Sequence, residues 1–218
     1  MVKGVVFDMD GTLVDNMEFH KQAWFDFLAR YEISITEEEF HEKNIGIITE
    51  IIPKFFPGKL SATEIITLGL EKESVYRNLY RSHIQALPGL DVFLQSLSQA
   101  NVSMALATAA DKGNIDFTID ALGIRSYFSA ITGSEEVSHG KPHPDVYLKS
   151  AAKLKLEPTE CVAFEDTPSG IRSALAAGMQ VVGVATTHSR KELILFPLLA
   201  IIENYEIPDP TSFLNGQS

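Results

Sequence analysis

Residues 5–12 are Val5-Val6-Phe7-Asp8-Met9-Asp10-Gly11-Thr12, an apolar run that leads directly into two carboxylates. The β-branched run predicts a strand that is buried on both faces, as in a parallel sheet. In an open α/β sheet, ligands bind at the carboxyl ends of such strands. Gly11 allows a sharp turn, so Asp8 and Asp10 can line one pocket. Asp-Gly is also ordinary turn sequence, and from this stretch alone that alternative stays open.

The composition limits the class of protein. The chain has 218 residues, a hydrophobic content of 45% and a net charge of −11. This length suits one core domain with an insertion, and no apolar run is long enough to span a bilayer. The single cysteine, Cys161, and a first strand close to Met1 predict a cytoplasmic protein without disulfides or a signal peptide. Because no block rich in Lys and Arg is present, we expect no nucleic-acid partner.

Two hydrophobic patterns divide the chain. Residues 15–84 have helical periodicity and contain capping boxes at residues 36–39 and 61–64. The rest alternates apolar runs with amphipathic segments, which is typical of parallel βαβ units. The later predicted strands are Val102–Ala107, Ala130–Thr132, Cys161–Phe164 and Val181–Ala185. We therefore predict an α/β fold with a parallel-sheet core of residues 1–14 and 85–218 and a helical insertion of residues 15–84.

Polar residues follow three of the later predicted strands or precede the helices after them. They are Thr108, Lys141, Glu165 and Asp166. Each alone has a structural explanation: a helix cap for Thr108, a solvated loop charge for Lys141, and the start of a capped helix for the two acids. Because the carboxyl ends of parallel strands meet at one edge of a sheet, their joint occurrence favours a common site with Asp8 and Asp10.

Phosphoryl transfer gives these acids distinct roles. Ionised Asp8 would attack phosphorus and form an aspartyl-phosphate, which splits one difficult step into two. We expect Mg²⁺ to bind Asp8 and the backbone carbonyl of Asp10. Asp166, with help from Glu165, would complete the metal site.

The remaining groups would hold the phosphoryl oxygens or move the proton. Lys141, the Thr108 hydroxyl and nearby backbone N–H groups, including that of Ala109, are the candidate phosphate-binding groups. Asp10 would protonate the leaving group and later deprotonate water. That task suits a carboxyl whose pKa is raised by neighbouring acids.

Together these motifs resemble the haloacid dehalogenase superfamily, in its β-phosphoglucomutase-like phosphatase branch. Residues 8–12 resemble the first family motif, Thr108 the second, and Lys141 in Gly-Lys-Pro-His-Pro-Asp the third. Residues 164–171, Phe-Glu-Asp-Thr-Pro-Ser-Gly-Ile, resemble the fourth. The resemblance covers nearly the whole chain. It implies a Rossmann-like core, a helical-bundle cap inserted after the first motif, Mg²⁺ dependence and an aspartyl-phosphate mechanism.

The resemblance extends into the cap, where His20 and Lys72 are candidate substrate contacts near the leaving group. The alternatives are a histidine satisfied on an apolar helix face and a solvated helix charge. The chain departs from the mutases of the family. It has no basic residue between Gly46 and Lys54, where a mutase carries an arginine, and Asp111 follows Thr108 closely. A mutase must bind the second phosphate of a bisphosphate, and these departures disfavour that binding.

We therefore predict a Mg²⁺-dependent phosphatase for a small phosphorylated metabolite, such as a sugar phosphate. The first alternative is a β-phosphoglucomutase-like mutase. The second is a phosphoacceptor signalling module, which also combines acids, a threonine and a lysine at strand ends but has no helical insertion. The sequence leaves the oligomeric state and the identity of the substrate open.

Overall fold

The computed structural model describes residues 2–207, 209 and 211–215, which form a parallel β-sheet flanked by helices. The sheet has six strands in the order β3-β2-β1-β4-β5-β6, and every neighbouring pair is parallel. The strands are β1 (Gly4–Phe7), β2 (Ser103–Ala107), β3 (Ala130–Thr132), β4 (Cys161–Glu165), β5 (Gln180–Val184) and β6 (Ala200–Ile202). The predicted α/β fold with a parallel sheet is confirmed.

The α-helices fall into two groups, one between β1 and β2 and one between the later strands. They are α1 (Met17–Ala29), α2 (Glu37–Lys43), α3 (Ile48–Phe55), α4 (Ala62–Tyr80), α5 (Leu90–Gln99), α6 (Lys112–Ala121), α7 (Asp145–Leu154), α8 (Pro168–Ala176) and α9 (Arg190–Leu193). Short 3-10 turns lie at Arg125–Tyr127, Ser134–Glu136, Pro158–Glu160 and Ser212–Asn215. No helix of the described residues is both long and apolar enough to cross a membrane.

Strand β1 lies at the centre of the sheet and is buried throughout. Its side chains alternate between two apolar clusters, as the two-residue period of a strand requires. Val5 and Phe7 join the cluster on one face, and Val6 joins the cluster on the other. This burial on both faces explains the continuous apolar run before Asp8, and it fixes the direction in which the chain leaves the sheet.

Helices α1 to α4 form an all-helical unit with an apolar core of its own. Trp24, Phe27, Ile52 and Tyr76 are buried together in that core. The two predicted capping boxes are present, at Thr36 with Glu39 and at Ser61 with Glu64. Pro53 lies inside α3 rather than between helices. The apolar residues Ile51, Ile52 and Phe55 bury that helix against the rest of the unit, which offsets the hydrogen bond lost at proline.

The two crossings between the sheet and the helical unit lie side by side. Val14 forms isolated β-bridges with Asp10 and Ala86, and the Leu87 N–H donates to the Leu13 carbonyl at 2.9 Å. We propose on this basis that residues 1–14 and 85–218 are the core and residues 15–84 are the cap.

Two features differ from the sequence prediction. The bounds of four predicted strands shift by one residue, and β6 is missing from the prediction. Strand β6 has three residues at the sheet edge, too few for a periodicity to show. Gly123 and Gly178 have positive φ just beyond α6 and α8, where glycine ends a helix most easily.

Candidate active site

Asp8 and Lys141 form an ion pair at the carboxyl end of β1. The Nζ atom of Lys141 donates to Asp8 Oδ1 at 2.7 Å, to Glu165 Oε1 at 2.5 Å and to the Ala107 carbonyl at 3.2 Å. All three ionisable side chains are buried. The ends of β1, β2 and β4 therefore meet at Lys141, as the parallel topology predicts.

The turn after Asp8 depends on Gly11. This glycine has φ +78°, and a Cβ atom there would overlap the carboxylate of Asp166. The turn places Asp10 beside Asn16, whose Nδ2 donates to Asp10 Oδ1 at 2.6 Å. Thr12 Oγ1 donates to Asp166 Oδ1 at 3.1 Å, so the same turn also orients the last acid of the site.

The pKa values of the two N-terminal acids shift in opposite directions. Burial, together with the charges of Glu165 and Asp10, raises the pKa of Asp8 to about 7 despite the opposing effect of Lys141. Burial also raises the pKa of Asp10, but the nearby His20 imidazole, the hydrogen bond from Asn16 and the charge of Lys72 lower it more, so the net pKa lies below the ordinary value. The expected raised pKa of Asp10 is therefore wrong, because these contacts outweigh the effect of burial.

Lys141 and Asp166 have raised pKa values for different reasons. Burial lowers the pKa of Lys141, but the charges of Asp8 and Glu165 raise it by more than burial lowers it. The net pKa is therefore above the ordinary value, and the ammonium is charged at neutral pH. Burial, followed by the charges of Glu165 and Asp8, raises the pKa of Asp166 well above its ordinary value. One buried lysine thus faces more carboxyl groups than it can neutralise.

The donor set fits a hard divalent cation. Asp8, Glu165 and Asp166 each offer a carboxylate oxygen, and these oxygens lie within 4.8 Å of one another. Asp166 Oδ2 is buried without a hydrogen-bond partner. Both oxygens of Glu165 already accept protein hydrogen bonds, Oε1 from Lys141 and Tyr147 and Oε2 from backbone N–H groups. Each Glu165 oxygen already accepts at least two hydrogen bonds, so Glu165 would have to give one up to bind a cation and is suited only to assist Asp8 and Asp166.

Thr108 lies on the opposite side of Asp8 from the acids. Its Oγ1 accepts from the Ala110 N–H at 3.0 Å, and its side chain is buried. It does not cap α6, because Asp111 caps that helix by accepting from the Asn114 N–H at 2.7 Å. The Thr108 hydroxyl therefore keeps its proton for a ligand. Ala109 also lines the cleft, so its backbone is near the same position.

His20 and Lys72 lie on the cap side of the same cleft. Lys72 Nζ is 3.1 Å from His20 Nδ1, and His20 Nε2 is 3.7 Å from Asp10 Oδ2. The His20 ring stacks on Tyr76 with centroids 3.7 Å apart. Lys72 is 2% exposed, which contradicts the alternative of a solvated helix charge. The cap therefore places His20 beside Asp10 and Lys72 beside His20.

The cleft between cap and core has a cavity volume of about 170 Å³. Asp8, Asp10 and Lys141 line its base, and Lys72 and Glu73 line its cap side. The cleft is lined by all the site residues expected from the sequence except Glu165 and Asp166. Glu165 contacts Lys141 instead, and Asp166 contacts Thr12.

Four further residues contact the site and are not predicted from the sequence. They are Asn16, Glu73, Asn114 and Tyr147. Glu73 could have been found, because it is the neighbour of Lys72 in sequence. Asn16 lies six residues after Asp10, whereas Asn114 and Tyr147 make their contacts across the fold and carry no local signal.

The family is decided by a match that spans most of the chain. A family model described as haloacid dehalogenase-like hydrolase matches residues 5–184, which include every motif of the site. This chain belongs to the haloacid dehalogenase-like hydrolases. The predicted family is confirmed.

Similar haloacid dehalogenase-like hydrolases include phosphatases and a mutase. The chain is 31% identical over 181 residues to fructose-1-phosphate phosphatase YqaB of Escherichia coli (strain K12), covering 83% of this chain and 95% of that protein. It is 31% identical over 191 residues to beta-phosphoglucomutase of Bacillus subtilis (strain 168), covering 84% and 83%. These relatives confirm the predicted enzyme class, a phosphatase of this family, and its β-phosphoglucomutase-like branch.

A solved structure supports the same arrangement of core and helices. A family IA, variant 3 haloacid dehalogenase hydrolase from Entamoeba histolytica HM-1:IMSS superposes with a TM-score of 0.88 at 28% sequence identity. The superposition covers 98% of each chain.

Proposed function

We propose that this chain is a Mg²⁺-dependent phosphomonoester hydrolase that acts on a small phosphorylated metabolite through an aspartyl-phosphate on Asp8. The observation that supports this most strongly is the placement of Asp8. Its carboxylate lies at the base of the cleft, 2.7 Å from the Lys141 ammonium and beside two further buried acids. A nucleophile, a fixed cation and an acidic cluster thus share one buried position.

Asp8 is the nucleophile in the proposed first step. Its carboxylate oxygen attacks phosphorus, the bond to the leaving alkoxide breaks, and the phosphoryl group passes to Asp8. The Lys141 ammonium and the Thr108 hydroxyl donate hydrogen bonds to the equatorial oxygens of that group. Lys141 is held by Asp8 and Glu165 before the substrate arrives, so little reorganisation is needed.

The cation would be held by this chain's own oxygens. Asp8 and Asp166 would bind it through their carboxylates, Glu165 would assist, and the Asp10 backbone carbonyl would complete the protein ligands. When bound, Mg²⁺ supplies positive charge that favours the ionised form of Asp8 and offsets the charge of the phosphoryl oxygens.

Asp10 moves the proton in both proposed steps. It gives a proton to the leaving alkoxide and then takes one from the water that hydrolyses the aspartyl-phosphate. Its low pKa makes it ionised before the substrate binds. A bound phosphate dianion would raise that pKa, because two like charges disfavour each other. Asp10 therefore takes up its proton when the substrate binds.

The cap helices complete the site. Helix α1 supplies His20 and helix α4 supplies Lys72, and closure of these helices over the core would exclude water until the aspartyl-phosphate has formed. We propose that the crossings near residues 13–16 and 82–88 act as the hinge.

Hydrolysis is favoured over mutase activity. A mutase must bind a bisphosphate by its second phosphate, but Asp111 occupies the N-terminus of α6 and no basic residue lies between Gly46 and Lys54 in the cap. We therefore infer that the aspartyl-phosphate is discharged mainly to water. Membership of a hydrolase family argues against the phosphoacceptor module. A cytoplasmic location stays a prediction from the cysteine content.

Release of inorganic phosphate tests this proposal. The purified chain should hydrolyse p-nitrophenyl phosphate and a panel of sugar monophosphates only when Mg²⁺ is present. Asp8→Asn should lower the rate at least about a thousandfold, because an amide cannot attack phosphorus. Asp15→Asn is the matched control, since Asp15 is exposed and lies next to the same loop. Near-normal activity of a folded Asp8→Asn variant would contradict the proposal.

A further inference from the structure

A buried ion pair lines the cap side of the cleft, and the proposed chemistry does not use its acid. Lys72 and Glu73 are adjacent on α4, and they are 2% and 7% exposed. Lys72 Nζ donates to Glu73 Oε1 at 2.9 Å. A buried carboxylate in a substrate cleft is costly unless it is paired, so its presence there calls for a function.

Glu73 is held at both oxygens. Its Oε2 accepts from Asn114 Nδ2 at 2.6 Å, and Asn114 lies on α6 of the core. Burial raises the pKa of Glu73, but Lys72 and His20 lower it more, so the net pKa is below the ordinary value. The side chain therefore presents a fixed negative charge to the cleft at neutral pH.

Both lysines of the cleft are paired with carboxylates before any substrate binds. Among the residues that the structure describes, the cations lining the cleft are Lys72 and Lys141. Lys141 is paired with Asp8 and Glu165 at the site of the transferred phosphoryl group. Lys72 is paired with Glu73. A second anionic group on the substrate would therefore meet the Glu73 carboxylate and find its neighbouring cation already neutralised.

The same groups suit hydroxyls, which both donate and accept hydrogen bonds. Each Glu73 oxygen uses one lone pair and keeps another. The Lys72 ammonium has three protons, of which His20 and Glu73 take two, and the Asn114 amide has a second proton beside the one given to Glu73. The hydroxyls of an uncharged polyol can thus donate to the Glu73 oxygens and accept from the neighbouring Lys72 and Asn114 protons.

We propose that Glu73 is a specificity-determining residue, which selects phosphomonoesters with an uncharged polyol leaving group and rejects those with a second anionic group. This inference rests on the proposed phosphatase function and narrows its substrate class. Rejection arises from like charge, and selection arises from the hydrogen bonds that Glu73, Lys72 and Asn114 offer.

Two matched compounds test this role. Sorbitol 6-phosphate and 6-phosphogluconate differ only at the far carbon, which is an alcohol in one and a carboxylate in the other. Each is added as a competitor of p-nitrophenyl phosphate hydrolysis, and the ratio of the two inhibition constants is measured. For the unaltered chain, sorbitol 6-phosphate should compete at least about tenfold better.

Glu73→Gln should lower that ratio at least about tenfold, because the repelling charge is gone. The matched control is Glu71→Gln, a change of equal charge on the same helix whose side chain contacts Arg30 and Tyr31 outside the cleft. It should leave the ratio unchanged. Equal competition by both compounds in the unaltered chain, or an unchanged ratio in Glu73→Gln, would overturn the inference.

Loss of Glu73 leaves Lys72 as a buried lone cation, so the single variant can fail to fold. The double variant Lys72→Met with Glu73→Gln removes both charges and should also lower the ratio. A ratio that is unchanged there would overturn the inference. Hydrolysis of p-nitrophenyl phosphate separates a failure of this inference from a failure of the proposed function. If the unaltered chain does not hydrolyse it with Mg²⁺ present, the proposed phosphatase function is refuted, and the specificity role of Glu73 is refuted with it.

Discussion

His20 Nε2 lies 3.7 Å from Asp10 Oδ2, so a cap helix controls the charge of a carboxylate in the core loop. His20 is fixed on its other side by Lys72, at 3.1 Å from Nδ1, and by stacking on Tyr76. The lowered pKa of Asp10 depends on this contact. Any movement of the cap that separates the two side chains would therefore change the acid–base state of the proposed proton carrier.

Replacement of the imidazole tests this coupling. We expect His20→Gln to raise the pKa of Asp10, because the electrostatic contact with the imidazole that lowers it is lost, and to reduce kcat/KM at least about tenfold. Carboxyl ¹³C NMR titration gives the pKa. His41→Gln, an exposed histidine of the cap, is the control. An unchanged pKa of Asp10 in the His20 variant would refute the coupling.

Metal affinity should depend on pH through Asp8. Its pKa is raised to about 7, so below that pH the carboxyl binds a proton that the cation must displace. Mg²⁺ affinity should therefore rise roughly tenfold per pH unit between about pH 5 and 7 and level off above, and Asp166 shifts in the same direction.

Isothermal titration calorimetry at several pH values measures this affinity, and two buffers of different ionisation enthalpy give the protons released. Removal of the metal by chelation should abolish turnover, and added Mg²⁺ should restore it. Affinity that is flat or falling across this range would show that Asp8 is not a ligand.

Cap closure should depend on Asn114, which joins the two proposed domains. Its side chain accepts from Arg77 at 2.7 Å and donates to Glu73 at 2.6 Å, and both partners are on α4. Asn114→Ala removes both hydrogen bonds, so it should favour an open form and raise KM roughly fivefold or more.

Small-angle scattering measures this opening through the radius of gyration. The unaltered chain should become more compact when Mg²⁺ and a phosphoryl analogue are added, and the Asn114 variant should be less compact without them. The same radius in all of these states would argue against a mobile cap.

The products from β-glucose 1-phosphate distinguish hydrolysis from mutase activity. We expect glucose and inorganic phosphate, even with a trace of the bisphosphate primer, because Asp111 repels a second phosphate and no basic residue lies between Gly46 and Lys54 to bind it. Enzymatic assays of glucose and of glucose 6-phosphate give the ratio. Glucose 6-phosphate as the main product would promote the mutase alternative.

The sequence predicts those parts of the fold and site that depend on local pattern. Val5, Val6 and Phe7 identify the central strand because they are apolar on both faces, and Asp8 follows directly. The capped helix considered after Glu165 and Asp166 is present, since the Thr167 side chain accepts from the Gly170 N–H at the start of α8. Such features need only neighbouring residues.

Contacts across the fold are beyond this kind of prediction. The sign of the Asp10 pKa shift depends on His20, whose approach is set by the packing of α1 over the core. Glu73 meets Asn114 across 41 residues of sequence. Strand β6 exists only because β5 offers an edge to pair with. The hydrophobic periodicity of a single segment does not predict such contacts between distant segments.

The covalent state of Asp8 during turnover is the most direct test of the account. In Asp10→Ala, p-nitrophenolate can leave without a proton, but water lacks its base, so the second step should be slowed. Rapid-quench mixing with p-nitrophenyl phosphate should then release a burst of one equivalent of p-nitrophenolate per enzyme and leave a hydroxylamine-sensitive phosphoryl group on Asp8, found by peptide mass spectrometry. A phosphoryl group on another residue, or turnover with neither burst nor label in the folded variant, would contradict the claim that Asp8 is the nucleophile.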